Sequence, residues 1–410
     1  MSNKNHLEQG TPTRFLLLSL IVVVLATTVI DVIIPLFLLE IAKSFHVSPA
    51  IASQIRTFSA IAQVVPALLL GFLSVRFKAK SLLIVGVLCI IVASVGSYFA
   101  YNIGSMQFFY SFNGIGSVLV SAMALVIIGE FYPLHEKPKL VGVITATGAL
   151  GYVVGAPLSA LISNLGSWRL TFTLLVLPIS IAGVILAFYL IPSTPQVKQS
   201  TILREPFWSG FMEILRNKSA VACLIFQIFF LSLFAIGTFS IAFFKDTFKI
   251  TTDFASWIVV GSALSGAFGS LISGRFLINR LGRKTITVIA SLLSGILAIF
   301  AFYMPSLWAV LVFRYSSLFL WGIAVAAGAS LMLEQVPKFR GPMMSLRVAF
   351  AGIGSAIGVA IGGAVLTLYD YPTIALTLGT LGIIGSITLW LIAKDPCKIK
   401  MQVVKFGNNN

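Results

Sequence analysis

Asp31 is the residue in this chain best placed to do chemistry. It stands about two-thirds of the way along an apolar run from Phe15 to about Leu39, with Thr27 and Thr28 one turn before it and Pro35 a turn after it. A run of that length matches the roughly 20 residues that carry a helix across about 30 Å of hydrocarbon. An ionisable group near the bilayer centre costs roughly 3 kcal/mol on insertion scales, so it turns toward the protein interior and is a functional candidate by default. A carboxylate there can take a proton from one side of a membrane and release it to the other. The competing reading is a carboxylate near one interface, bonded to helix backbone or to Arg56. Arg314 opens a later apolar run and has two readings of its own, a buried charge or a side chain snorkelling to headgroups. Arg56, near the end of the second run, reads as an interface anchor, and Glu130 and Glu334 each close an apolar run.

No other chemistry is written in the chain. His6, His46 and His135 lie in loops or tails, and Cys89, Cys223 and Cys397 have no paired spacing, so neither a metal site nor a disulfide framework is expected. No nucleophile constellation or phosphate loop is present, which excludes an enzyme and a nucleotide-driven pump and leaves no cofactor to expect.

The elements that hold these residues are set by composition. Of 410 residues, 58% are hydrophobic and 10% charged, against about 25% charged in soluble domains. The net charge of +16 sits in short gaps between apolar runs and forms no basic face, so no nucleic-acid partner is expected; the lipid bilayer is the partner. Punctuation by Gly, Pro and charge predicts twelve spans: 15–39, 51–73, 81–101, 105–131, 139–164, 169–191, 219–244, 254–277, 285–304, 307–333, 341–368 and 372–393. Lys43, Arg56, Arg169, Lys245, Lys249 and Arg314 lie toward one side, which leaves 22 of the 28 basic residues on the other. By the positive-inside rule both termini are then cytoplasmic. The polar stretch 192–218 reads as a linker between six-span halves at 1–191 and 219–400, followed by a tail at 401–410.

The halves repeat each other. Glu130 and Pro133 return 204 residues later as Glu334 and Pro337, and the ladder Gly148, Gly151, Gly155 returns near Gly352, Gly354 and Gly358. Such internal symmetry is common in transporters. With these features the chain resembles the major facilitator superfamily, in particular its proton-driven efflux branch. In the loop after span 2, Gly71, Leu73, Arg76 and Lys80 fit the family's pattern, whereas Val75, Lys78 and Ala79 depart from it. The loop after span 8 fits better, through Gly274, Arg280, Gly282, Arg283 and Lys284, with Asn279 at the position of the usual Asp. Gly148, Gly151, Gly155 and Pro157 look like the family's antiporter motif; the alternative is that small residues let helices approach closely.

The resemblance implies twelve helices in two pseudo-symmetric bundles, an all-α membrane protein working by alternating access. It implies gating by the two basic loops with Glu130 and Glu334. It places a proton-coupling carboxylate at Asp31, puts Tyr110 where many efflux members carry an arginine, and lets Arg314 supply that charge from the other half. The cavity is expected between helices 1, 4, 7 and 10, with Thr27, Asn113, Ser117, Gln227, Thr238, Tyr315 and Trp321 as candidates for its lining. Together these features imply a monomeric plasma-membrane exporter of a small, drug-like or amphiphilic solute, driven by the proton gradient. An uptake permease or facilitator for a sugar or other metabolite, and a transporter-like sensor or channel, stay open as alternatives.

Overall fold

The computed structural model describes residues 13–133, 136–192 and 207–395. The tail, Cys397, His6, His135 and much of the predicted linker lie outside these residues. Twelve helices among them are long and apolar enough to cross a membrane. We number them α1 (Thr13–Leu36, continued by Leu38–Ser44), α2 (Pro49–Ala62 and Val64–Arg76), α3 (Ala79–Phe99), α4 (Ile103–Phe131), α5 (Lys137–Ser163) and α6 (a π-turn at Phe172–Val176, then Leu177–Leu190). The second half holds α7 (Lys218–Phe234 and Ile236–Phe248), α8 (Thr252–Ile272, with a π-turn at Ser273–Leu277 and a last turn Ile278–Leu281), α9 (Arg283–Tyr303), α10 (Leu307–Leu333), α11 (Arg340–Leu368) and α12 (Tyr371–Ile392). Within the predicted linker the structure adds a short amphipathic helix, Phe207–Arg216, that packs on Phe339 and Pro342 at the start of the α11 region.

The sequence explains where these helices start and bend. Ser48, Asn102, Asn217, Thr251, Ser306 and Asp370 each accept a backbone N–H of the first turn that follows, the usual way to satisfy a donor the helix leaves free. Gly282, at φ +84°, turns the chain between α8 and α9 in a conformation that other residues rarely adopt. The interruption at Phe37 follows Pro35, which has no N–H to give the helical ladder.

Glycines set the packing within each half. A side chain at Gly151 would collide with Thr28 of α1, and one at Gly155 would press on Val29, so the glycines of α5 are the slot into which α1 sinks. The second half repeats the arrangement, with Gly354 and Gly358 of α11 seating Ile228 and Ser232 of α7.

The core that the two halves share most fully lies on one side of the molecule. Toward the face opposite the termini, a single cluster joins Ile33, Phe37 and Ile41 of α1 to Phe239, Ile241 and Phe244 of α7 and Ile258 of α8. Toward the termini the described residues form two clusters, one per half, linked where Ala349 of α11 and Leu68 of α2 reach across. The molecule is closed at the far face and parted at the termini face.

Candidate functional site

Asp31 is half-buried on α1, and the helix bends just beyond it. In an unbroken helix its backbone carbonyl would accept the N–H of residue 35, but that residue is Pro35. The freed carbonyl is taken by Arg56 of α2, whose Nη1 donates to it at 3.0 Å. The carboxylate itself accepts a hydrogen bond from Asn113 Nδ2 of α4, with Oδ1 at 2.8 Å. Ser117 then donates to Asn113 Oδ1 at 3.2 Å, and Tyr110 donates its hydroxyl to the carbonyl of Ile30 at 3.1 Å. Tyr110, Asn113 and Ser117 are spaced to lie along one face of α4. With Asp31, Arg56, Gln63 and Ser355 they wall a polar pocket of about 80 Å³.

A larger cavity, about 900 Å³, lies beside it and shares Arg56 and Ser355 in its wall. Val32 and Pro35 of α1 contribute, but most of the lining comes from α5, α7, α8 and α10, including Gly148, Thr238, Arg314 and Trp321. This corrects the expected set of helices. α4 lines the polar pocket and not the large cavity, where α5 and α8 contribute instead.

The individual candidates divide accordingly. Trp321 lines the cavity and stacks on Phe234 (ring centroids 4.4 Å apart) and Phe230 (5.9 Å). Thr27 lines neither space; it is buried and donates to the carbonyl of Val24 at 2.7 Å. Gln227 is buried within α7 away from both. Tyr315 packs its ring on Gly261 of α8, and its carbonyl accepts from Ser265 at 2.6 Å, so it is a helix-packing residue and not part of the lining. Arg314 Nε donates to Ser262 Oγ at 3.2 Å, and the guanidinium carbon lies 5.9 Å from the Phe244 ring centroid. Arg314 and Tyr110, 204 residues apart, occupy different spaces: the first the cavity, the second the polar pocket. Pro157 lies inside α5, beyond the glycines that seat α1.

At the termini face, Glu334 lies 3.0 Å from Arg340 Nη2 and 3.9 Å from Arg283 Nη1. Arg76 lies over the Phe72 ring at 5.9 Å. Glu130 ends α4 exposed, Gly71 sits in the second segment of α2, Gly274 in the π-turn of α8, and Arg280 is exposed just before Gly282.

Sequence reasoning missed a polar link between the halves. Lys245 of α7 places Nζ 2.7 Å from Glu40 Oε1 of α1 and 2.8 Å from the carbonyl of Leu36. Thr252 donates to the same carboxylate oxygen at 3.3 Å, and Asn164 bonds Asp253 at 3.3 Å nearby. Glu40 and Lys245 stand 205 residues apart, one more than the repeat offset. That near-equality was the available signal, since a pseudo-dyad brings corresponding helix ends together.

Two repeated six-helix bundles around a membrane-depth cavity that opens toward one face define a secondary transporter. The sequence profile of the Major Facilitator Superfamily matches residues 16–244 and 225–402, and the chain belongs to that family. It is similar to multidrug resistance protein 2 of Bacillus subtilis (strain 168), 22% identical over 371 residues, covering 89% of this chain and 91% of the relative. It is also similar to a probable sugar efflux transporter of Helicobacter acinonychis (strain Sheeba), 25% identical over 366 residues, covering 86% and 88%. Among solved structures, the nucleoside transporter NupG superposes with a TM-score of 0.77 over 92% of this chain and 100% of its own, at 17% identity. The protein is a multi-pass integral membrane transporter and not an enzyme.

Proposed function

We propose that the protein exports a small organic solute in exchange for protons, with Asp31 as the proton-carrying group. The observation that carries this reading is the bond from Asn113 to the Asp31 carboxylate in a polar pocket that shares Arg56 and Ser355 with the large cavity. A carboxylate there changes charge on protonation, and Arg56 is the side chain through which that change is felt in the cavity. The solute binds in the cavity when the termini face is open, and the halves rock about the shared site so that the far face opens in turn. Export and antiport are supported by the similarity to a multidrug resistance protein and a sugar efflux transporter. Both termini lie on the cytoplasmic side of the plasma membrane in this reading, and one chain is the working unit.

The test is accumulation of a panel of fluorescent drugs and metabolites in cells lacking their own exporters. Expression of the wild type lowers accumulation, and both a protonophore and Asp31→Asn abolish the difference. Accumulation that rises on expression and ignores the protonophore would instead establish facilitated uptake.

A further inference from the structure

The charges in the cavity wall are not balanced. Among the described residues its lining contains Arg56 and Arg314, and no Asp, Glu, Lys or His. Arg56 shares the small polar pocket with the Asp31 carboxylate, although its own hydrogen bond goes to the Asp31 backbone carbonyl. Arg314 has no carboxylate: Nε donates to a serine hydroxyl, and the described residues offer its two terminal nitrogens no hydrogen-bond acceptor. A snorkelling arginine would reach headgroup phosphates, but on the far side Arg314 meets Phe244, part of the core that closes that face. Burying a guanidinium without an anion is expensive, and intramembrane charges that line a cavity mark substrate pathways.

The remainder of the wall is apolar, including Leu233, Phe234, Ile241, Phe302 and Trp321. Trp321 stacks near-parallel on Phe230 and Phe234, with interplanar angles of 11° and 18°. One unbalanced cation on an apolar wall fits one negative charge on an apolar body.

We propose that the transported solute is an organic monocarboxylate, its acid group seated on the free edge of the Arg314 guanidinium and its apolar or aromatic body against the wall that includes Trp321. Arginine offers parallel N–H donors that match a carboxylate, and charge-assisted bonds of this kind are roughly twice as strong as neutral ones. A cationic solute would meet two arginines, and a phosphate or a dicarboxylate would need further donors that the apolar wall does not supply. This assignment rests on the cavity being the transport site proposed above.

The experiment measures binding of three molecules with one body, indole-3-acetate, indole-3-acetamide and tryptamine, to the purified full-length protein by calorimetry at neutral pH. The acid is expected to bind at least about tenfold more tightly than the amide, the equivalent of about 1.4 kcal/mol, and the amine more weakly than either. Arg314→Gln brings the acid down to the level of the amide, while Arg314→Lys, which keeps the charge and loses the fork, leaves a reduced acid preference. Equal binding of acid and amide by the wild type, tighter binding of the amine, or an acid preference that survives Arg314→Gln overturns the proposal. So does a lack of acid binding at millimolar concentration, both in this set and in matched sets built on phenylbutyrate and benzoate. The wild-type comparison stands even if a variant fails to fold. A parallel flux measurement with an imposed proton gradient separates the two readings. Acid preference without a gradient response removes proton exchange and leaves the anion site, whereas a gradient response confined to neutral solutes does the reverse.

Discussion

Arg56 donates its hydrogen bond to the backbone carbonyl of Asp31 and leaves the carboxylate to Asn113. The carbonyl is available because Pro35 cannot use it. The two atoms of Asp31 that matter are thus addressed by different helices, α2 and α4, and a change of charge on the carboxylate need not break the bond that holds Arg56 in place.

Pro35→Ala tests this arrangement. Alanine returns an N–H to the helix and removes a proline whose presence inside a helix costs about 3 kcal/mol, so thermal stability rises. The Asp31 carbonyl is then shared with a bond within α1, which weakens its bond to Arg56; solute exchange in proteoliposomes should fall on the order of tenfold. A stabilised variant with unchanged exchange would show that the Arg56 bond is merely structural.

The ion pair between Glu40 and Lys245 closes the far face, and the Lys245 side chain is only 8% exposed. Glu40→Gln removes the negative charge opposite that ammonium while the Leu36 carbonyl still accepts from it, and because the Glu40 side chain is 36% exposed the cost is about 1 kcal/mol. The closed far face is weakened relative to the open one. A cysteine placed at Asn164 in a background without native cysteines should react with an impermeant maleimide from the far side on the order of tenfold faster in the Glu40→Gln variant. Unchanged labelling would mean that the apolar core alone holds the face shut.

Gly151→Ala drives a methyl group into Thr28. Overpacking of this kind typically costs about 1–3 kcal/mol, read as a lower melting temperature of the purified protein. Thr28→Ala in the same chain removes the hydroxyl that collides and should recover part of the loss. Full tolerance of the single change would contradict the close approach of α1 and α5.

Asp370 begins α12, where the Thr373 hydroxyl and backbone N–H both donate to it and hold its carboxyl below the usual carboxylate range. Because the folded value is the depressed one, its contribution to stability is present above the ordinary aspartate value of about 4 and is lost as pH falls through the folded value. Asp370→Asn keeps an acceptor oxygen for the cap and removes the titration. Melting temperature measured below about pH 4 should decline less steeply in the variant, by a small amount because the group is exposed. An identical acid limb in both proteins would remove Asp370 from the account.

Much of this fold is legible in sequence because hydrocarbon imposes length: the twelve apolar runs and the polar interval between halves follow from that constraint alone. Asp31 was legible for the same reason, as a charge in a run that should hold none. Its partnership with Asn113 was not, since 82 residues separate them and the contact depends on how α1 and α4 are rotated. The glycines of α5 show both the promise and the limit of a motif: their spacing marks a special helix, while only packing reveals that their neighbour is Thr28. The cavity is expected beside α4 because the resemblance assigns helices 1, 4, 7 and 10 to it, whereas most of the observed lining comes from α5, α7, α8 and α10. Lys245 reads in the sequence as one more basic residue near an interface, because its contact with Glu40 depends on how the two halves meet.

The most direct test of the central claim uses proteoliposomes loaded with any solute whose accumulation the wild type lowers in cells. An imposed proton gradient should drive that solute against its own gradient through the wild type. The Asp31→Asn protein should still exchange solute for solute at equilibrium but should not respond to the gradient. Gradient-driven accumulation through Asp31→Asn would contradict the assignment of Asp31 as the proton-carrying group.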